Sequence, residues 1–386
     1  MLIGINGYEA VIPRFGYDKE TGLPRRVGSA EYCFKLLINL YKLDKQNEYI
    51  IYLPKDPSSD FPEERDNWHY KIVKQKKMWT LIGLTLEFLL KRSKPDVFFS
   101  PTHYLPIVVP SNSAISILDV SYIHFPKLFQ KSDLRQLKIW TKFSVKKAKR
   151  IFTISKASKD DIIKEYGVSE DKITVTYPGI KQVSGIKYQV LSMDELEKKY
   201  GIKKDYILFV GTLQPRKNIV RLIEAFARLS RSSLIINPLS LIILGKKGWM
   251  YEDIINSPKK FGVEDKVKFL DNVTDEDLPI FYKNAECFVL PSLYEGFGLP
   301  ILEAMQNGCP VVTSNVSSLP EAGGDAALYF DPNNPEDIAQ TMEKVLSDKK
   351  LRETMIKKGF EQVKKFSWEK TAKETLETLE NLVKSS

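Results

Sequence analysis

Three cysteines in 386 residues leave little room for disulfide or cluster chemistry. Cys33, Cys287 and Cys309 show neither metal-ligand spacing nor a disulfide pattern. Histidine is equally scarce, and His69, His103 and His124 are too scattered to suggest a zinc site. No long hydrophobic run occurs: the longest, Leu81–Leu90, is interrupted by Glu87 and too short to span a bilayer. The first strand-like segment, Met1–Asn6, begins without a basic and apolar leader, so a cytoplasmic protein without a structural metal is expected. No Gly-x-Gly-x-x-Gly follows that strand, which argues against a plain NAD oxidoreductase. Internal repeats and low-complexity segments are missing as well.

What remains is an ordinary globular composition, 43% hydrophobic and 28% charged, in a chain long enough for two domains. Its net charge of +9 is uneven, because residues 1–180 hold 29 Lys and Arg against 20 Asp and Glu while the rest is balanced. Lys127–Arg150 concentrates nine basic residues with one acid, Asp133. If Ser132–Lys149 is helical, Lys131, Arg135, Lys138, Lys142, Lys146 and Lys149 recur every three or four residues and form one stripe. Such a stripe is either a solvated helix face or a surface for anionic lipid head groups or an anionic acceptor. With no nucleic-acid module beside it, nucleic acid is not expected as a partner.

Apolar strand-like runs alternate with amphipathic helical patterns, the signature of α/β units on parallel sheets. In the first half, Leu2–Asn6, Tyr49–Leu53, Val97–Ser100, Ile115–Leu118 and Ile151–Ile154 read as strands, and Ala30–Leu43 as a helix after Gly28-Ser29. Residues 1–180 form one expected domain, the looser stretch 181–192 a linker, 193–366 a second domain and 367–386 a terminal helix. In the second half Tyr206–Gly211 is a strand, Asn218 an N-cap, and Ile219, Leu222, Ile223, Phe226 and Leu229 one buried helix face. Thr274-x-x-Asp277 resembles a capping box, although Asp275-Glu-Asp277 also has the look of a metal-binding Asp-x-Asp.

One stretch carries chemistry. In Pro291-Ser-Leu-Tyr-Glu-Gly-Phe-Gly-Leu-Pro-Ile-Leu-Glu303, a buried strand runs into a Gly-rich turn and then a helix opened by Pro300. Turns of this kind sit at the carboxyl edge of a parallel sheet, where ligands bind. Gly296 and Gly298 let the backbone approach an anion, and the helix start offers N–H groups. Glu295 and Glu303 then flank the anion, each placed to accept from sugar hydroxyls. A nucleotide sugar has hydroxyls on both sides of a diphosphate, one glutamate for each sugar. The alternative is a turn with incidental acids. Arg216 and Lys217 occupy the equivalent place after the first strand of this half, two cations suited to a diphosphate whose charge grows as it leaves.

These residues resemble a known family. The segments "FVGTLQPRKN", "ILGKKGW", "FVLPSLYEGFGLPILEAMQNGCPVVTSNVSSLPEAGGDAALYFDP" and "FSWEKTA" closely resemble the donor domain of the retaining glycosyltransferases of family 4. "RVGSAEYCFKLLINL", "ISILDVSYIHFP" and "FTISKASKDDI" match more loosely in the first half. The resemblance implies the GT-B fold, two facing Rossmann-like domains with parallel sheets and a C-terminal helix crossing back to the first domain. It implies that Glu295 contacts the transferred sugar and Glu303 the ribose. Arg216 and Lys217 would hold the diphosphate, helped by the main chain of Phe297, Gly298 and Leu299; Gly28 would face the phosphates and Val273 lie near the base. Where relatives often read Ile-His-Asp, this chain has Ile117-Leu118-Asp119, so a role resting on that imidazole is not carried over. Asp119 remains as the catalytic candidate, with His103 and His124 nearby in sequence. The expected activity is metal-independent, retaining transfer of a hexose, mannose from GDP-mannose, to a glycan or lipid-linked acceptor. A UDP-sugar transferase of the same fold and a nucleotide-sugar 2-epimerase are the alternatives.

Overall fold

The computed structural model describes residues 1–12, 16–17, 21–75, 77–90, 94–180, 193–203, 205–232, 239–274 and 276–384. The expected linker, 181–192, and Asp275 lie outside the described residues. The chain divides into two units, Met1–Gly179 with Ser367–Ser386, and Ile180–Phe366.

The first unit is built on seven strands: β1 (Leu2–Asn6), β2 (Glu48–Leu53), β3 (Trp68–Ile72), β4 (Val97–Ser100), β5 (Ser113–Ser116), β6 (Arg150–Thr153) and β7 (Ile173–Val175). Their order is β3-β2-β1-β4-β5-β6-β7, and all neighbours pair parallel. Side chains alternate between two cores, as a sheet covered on both faces requires. Val97 and Phe99 enter one with Ile3, Ile5 and Ile51, while Phe98 enters the other with Ile115 and Ile151. β5 starts two residues before the apolar run Ile115–Leu118, because Ser113 and Ser116 are buried inside the strand. Leu118 is only partly buried, packed against the first core. β3 is absent from the sequence reading: Trp68-His-Tyr-Lys-Ile72 is a half-exposed edge strand without a continuous apolar signal.

The helix Trp368–Lys384 packs along the helix Ser29–Leu43 of this unit. Trp368, Ala372, Leu379 and Leu382 join the first core, and Thr371 Oγ1 donates to Tyr177 O at 2.5 Å. Leu376 and Val383 are partly buried at the rim. The basic helix runs Lys131–Lys147, so Lys149, counted with its stripe by sequence, falls beyond the helix end and donates to Asn112 Oδ1 at 2.8 Å.

The second unit holds β8 (Tyr206–Val210), β9 (Ser240–Leu244), β10 (Val267–Leu270), β11 (Cys287–Leu290), β12 (Val311–Ser314) and β13 (Ala327–Phe330). The order is β10-β9-β8-β11-β12-β13, again parallel throughout. From β8 the chain steps outward to β9 and β10, then returns to β11 on the other side. The direction of winding therefore reverses between β8 and β11, the kind of point at which open α/β sheets bind ligands. In the helix Ile219–Leu229 the five apolar residues read as one face are all buried. Among the described residues no helix is long and apolar enough to cross a membrane.

Candidate active site

The two loops at that reversal point carry the chemistry-bearing side chains. After β8 the chain turns through Pro215–Lys217 into Asn218, which adopts a left-handed conformation at φ 58° before the helix Ile219–Leu229. Asn218 stands at the N-cap position but its side chain does not cap. Its Nδ2 donates instead to Pro291 O at 3.0 Å and Pro332 O at 2.7 Å, and its Oδ1 accepts from Arg221. A buried amide is worth more bridging two otherwise unpaired carbonyls than capping a helix reached through an αL residue. The β8 loop is thereby stitched to the β11 loop, and Leu293 N–H donating to Arg216 O (2.9 Å) adds a further stitch.

Across this seam lies a buried charge cluster. Lys217 Nζ donates to Glu295 Oε1 at 2.6 Å and Arg216 Nη1 to Oε2 at 3.0 Å. Ser292 Oγ donates to Oε1 at 2.6 Å, and Arg216 Nη1 also reaches Tyr294 O. Glu295 is 8% exposed and Lys217 9%. The main chain of Glu295 is fixed too, its N–H donating to Ser317 Oγ (3.0 Å) and its carbonyl accepting from Ser318 Oγ (2.8 Å). Burial pushes the Glu295 carboxyl up, but the charges of Lys217 and Arg216, with the hydrogen bonds from Lys217 and Ser292, outweigh it and bring it down to about 2. Glu295 is therefore ionised at neutral pH, an anion held between Lys217 and Arg216.

The turn that follows shows why glycine is needed. Gly298 has φ 103°, and a Cβ there would lie 2.8 Å from Leu319 Cδ2. The helix Leu299–Gln306 starts directly after it, with Phe297 and Gly298 buried beneath the loop.

Glu303, one turn into that helix, is half-buried, and Tyr282 OH donates to its Oε2 at 3.0 Å. Burial first, and the Glu303 charge second, raise the Tyr282 phenol well above its usual range, so it stays a donor that orients the carboxylate. Val273 is half-buried in the loop after β10. Asp119 and Gly28 belong to the first unit. Asp119 Oδ1 accepts from Ser121 N–H at 2.8 Å and starts the turn Ser121–His124, while Gly28 (φ 57°) precedes the helix Ser29–Leu43. His124 Nε2 lies 3.1 Å from Asp161 Oδ2, and the His103 ring packs against Tyr122.

Of the two aspartates of the Asp-x-Asp at 275–277, only Asp277 is among the described residues. Asp277 is engaged by Lys199 Nζ at 2.6 Å and Tyr200 OH at 2.5 Å, and its N–H donates to Thr274 Oγ1. The following helix begins at Leu278, whose N–H donates to Thr274 O at 3.1 Å, so Thr274 holds the turn leading into the helix. Ser292, Ser317 and Ser318 were not singled out by sequence. The one available signal was a serine three residues before Glu295 in a loop otherwise apolar.

Comparison with known proteins identifies the family. The family model described as "Glycosyl transferases group 1" matches residues 160–362, and that of "Glycosyltransferase Family 4" matches residues 33–182. The chain is 35% identical over 287 residues to the O-antigen chain mannosyltransferase B of Escherichia coli, spanning 74% of each protein. A Serotype-specific mannosyltransferase WbdA of Escherichia coli is 32% identical over 242 residues, which is 62% of this chain but 30% of that longer protein. Among solved structures, the sucrose-phosphate synthase of Thermosynechococcus elongatus superposes with a TM-score of 0.72 at 17% identity, covering 100% of both chains, a likeness of fold. Two parallel-sheet Rossmann-like units and matches spanning both halves place this chain in the family 4 glycosyltransferases of the GT-B fold.

Proposed function

We propose that the protein is a retaining glycosyltransferase that moves mannose from GDP-mannose to a glycan or lipid-linked acceptor. The observation that carries the donor assignment is the Arg216–Glu295–Lys217 cluster at the reversal point of the second sheet. A buried lysine and a half-buried arginine meet at one carboxylate where the loops after β8 and β11 join. Both cations suit a diphosphate, to which Arg216 offers a fork of donors. On donor binding, phosphate oxygens take over the cations and the Glu295 carboxylate turns to the sugar hydroxyls. The bond from the anomeric carbon to the diphosphate oxygen then breaks, and the acceptor oxygen bonds to the same face of that carbon. The acceptor's proton passes to the departing diphosphate. Charge that accumulates on this leaving group meets donors already in place, which is where catalysis gains most. Asp119 is proposed to assist from the first unit, Glu303 to hold the ribose, and the main chain near Val273 to meet the base. The mannosyl reading is supported by the E. coli relative of matching length.

Incubation with GDP-mannose, UDP-glucose and ADP-glucose, with nucleoside diphosphate release as readout, tests the donor. GDP release from GDP-mannose is expected to dominate; release of UDP alone would replace GDP-mannose by a UDP sugar. Exchange of the sugar C2 proton with solvent would indicate an epimerase instead. Because Arg216 and Lys217 neutralise the diphosphate, activity is expected to persist in excess EDTA. Loss restored by magnesium or manganese would assign that neutralisation to a metal.

Glu303→Gln keeps the shape of the side chain and removes its charge, so it should weaken binding of free GDP by about tenfold or more. Tyr282→Phe, which removes only the hydrogen bond that orients Glu303, should weaken it less. Calorimetry with GDP decides, and equal affinity in the parent chain and Glu303→Gln removes Glu303 from the ribose.

A further inference from the structure

The loop that leaves β12 meets the candidate site at three points. Ser317 Oγ accepts from the Glu295 N–H at 3.0 Å, and Ser318 Oγ donates to the Glu295 carbonyl at 2.8 Å. One residue further, Leu319 closes on Gly298, where a Cβ would lie 2.8 Å from its Cδ2. The loop is itself tied to the end of β11, because Thr313 Oγ1 and Ser314 Oγ both donate to Leu290 O, at 3.0 and 3.4 Å. Both peptide groups that flank the Glu295 Cα are thus held from one neighbouring loop. The glycine turn that follows Glu295 rests on the same loop.

Ser317 makes its contact from an unfavourable backbone. Its φ is 50°, in the left-handed region that glycine enters freely and serine does not. Glycine would fit this turn better but has no oxygen for the Glu295 N–H. Strain kept beside a ligand site points to function when a relaxed residue would lose a specific contact. Ser318 is different. It is fully buried with φ −83°, and its carbonyl accepts from Glu321 and Ala322 N–H as the helix Leu319–Gly323 begins. Ser318 therefore serves the fold as well as the site, whereas Ser317 is half-buried and gains nothing for its own backbone.

We infer that Ser317 is a positioning residue for transfer, acting through Glu295. It fixes the main chain so that the carboxylate can change partners without its backbone moving. The inference rests on the proposed donor chemistry, in which Glu295 leaves Arg216 and Lys217 for the sugar hydroxyls. In the ligand-free protein those cations and Ser292 anchor the side chain. Once a diphosphate takes the cations, the hold on the main chain stays in place and sets where the carboxylate can reach. Loosening that hold misplaces the sugar rather than the nucleotide, and so costs rate.

The test compares Ser317→Gly with Ser317→Ala, and repeats Ser317→Gly in the Glu295→Gln background. Both variants lose the oxygen, but glycine relaxes the turn while alanine keeps it strained. Steady-state kinetics, with the sugar nucleotide that the parent chain uses, should show kcat lower by about tenfold or more in both. KM for that donor and affinity for free GDP should stay within about threefold of the parent chain. Melting should separate the two, with Ser317→Ala below Ser317→Gly. In the Glu295→Gln background, Ser317→Gly should cost less than about threefold further, because its effect runs through the missing carboxylate. If Ser317 only shaped the loop, kcat would follow melting: glycine would keep activity and alanine alone would lose it. That result would overturn the inference, as would an equal loss in both backgrounds. A parent chain that transfers from no sugar nucleotide would overturn the donor reading and this inference with it. An active parent chain with full kcat in Ser317→Gly overturns the inference alone.

Discussion

Glu295→Gln is expected to melt well below the parent chain, to lose most transfer, and yet to bind free GDP at least as tightly. The three effects share one cause. In the ligand-free protein the Glu295 carboxylate is the counter-charge of Arg216 and Lys217, at 3.0 and 2.6 Å, inside a buried seam. Removing one member of a buried ion cluster strands the others, at about 3–5 kcal/mol, equivalent to roughly 6–20 °C for a domain of this size. A diphosphate neutralises the stranded cations, so the nucleotide gains what the fold has lost. The pH dependence gives an independent check. Glu295 titrates near 2 in the folded protein, against 4.5 ordinarily, so its stabilisation is complete above 4.5 and disappears as pH falls towards 2. Gln has no such dependence, and the melting gap between parent and variant should therefore narrow over that window. Transfer falls because the released carboxylate no longer positions the sugar, and a misplaced anomeric carbon forfeits the gain from orientation. If calorimetry shows Glu295→Gln losing GDP affinity as strongly as Glu303→Gln, the exchange of carboxylate for phosphate is wrong.

That exchange was not legible in the sequence, although its members were. The strand, Gly-rich turn and helix around Glu295 follow from local rules: a four-residue apolar run, a glycine where φ is positive, a proline in the first helical turn. Arg216 and Lys217 were recognisable by the same logic applied to β8. What local rules do not reveal is which side chain meets which across separate loops. The sequence reading gave each glutamate to a sugar and both cations to the diphosphate. The fold shows Glu295 spending the ligand-free state on those cations, while Glu303 is oriented by a tyrosine from a different helix. The same limit explains Asn218, identified as a cap by residue type but recruited to bridge two distant carbonyls. Edge strand β3 escaped for the opposite reason, since half of its side chains face water and its apolar pattern is weak. Chain length and the looser stretch 181–192 supplied the two-domain division, to which the family resemblance added the GT-B fold.

Lys217→Ala should reduce turnover by at least about 10²-fold, and this loss should persist at saturating donor. Lys217 ends the 3-10 turn after β8, is 9% exposed, and has its ammonium held in place by Glu295 before any donor arrives. A charge fixed in advance and shielded from water costs little reorganisation when the diphosphate begins to leave, and donors so placed typically contribute about 10²–10³ in rate. Because the leaving group gains charge as the bond breaks, the ammonium is worth more in the transition state than in the bound donor. The effect should therefore fall on kcat more than on KM. Stability provides a contrast with Glu295→Gln: Lys217→Ala leaves Glu295 with Arg216 and Ser292, so fewer charges are stranded and melting should drop less. Lys217→Arg retains the charge with a different reach and is expected to recover part of the turnover, separating the loss of charge from the loss of packing. Steady-state kinetics on the two Lys217 variants, with melting curves alongside, decide the matter. Unchanged kcat in Lys217→Ala, or a loss in Lys217→Arg as large as in the alanine variant together with equal destabilisation, would make Lys217 a support of the loop and leave the leaving group to Arg216.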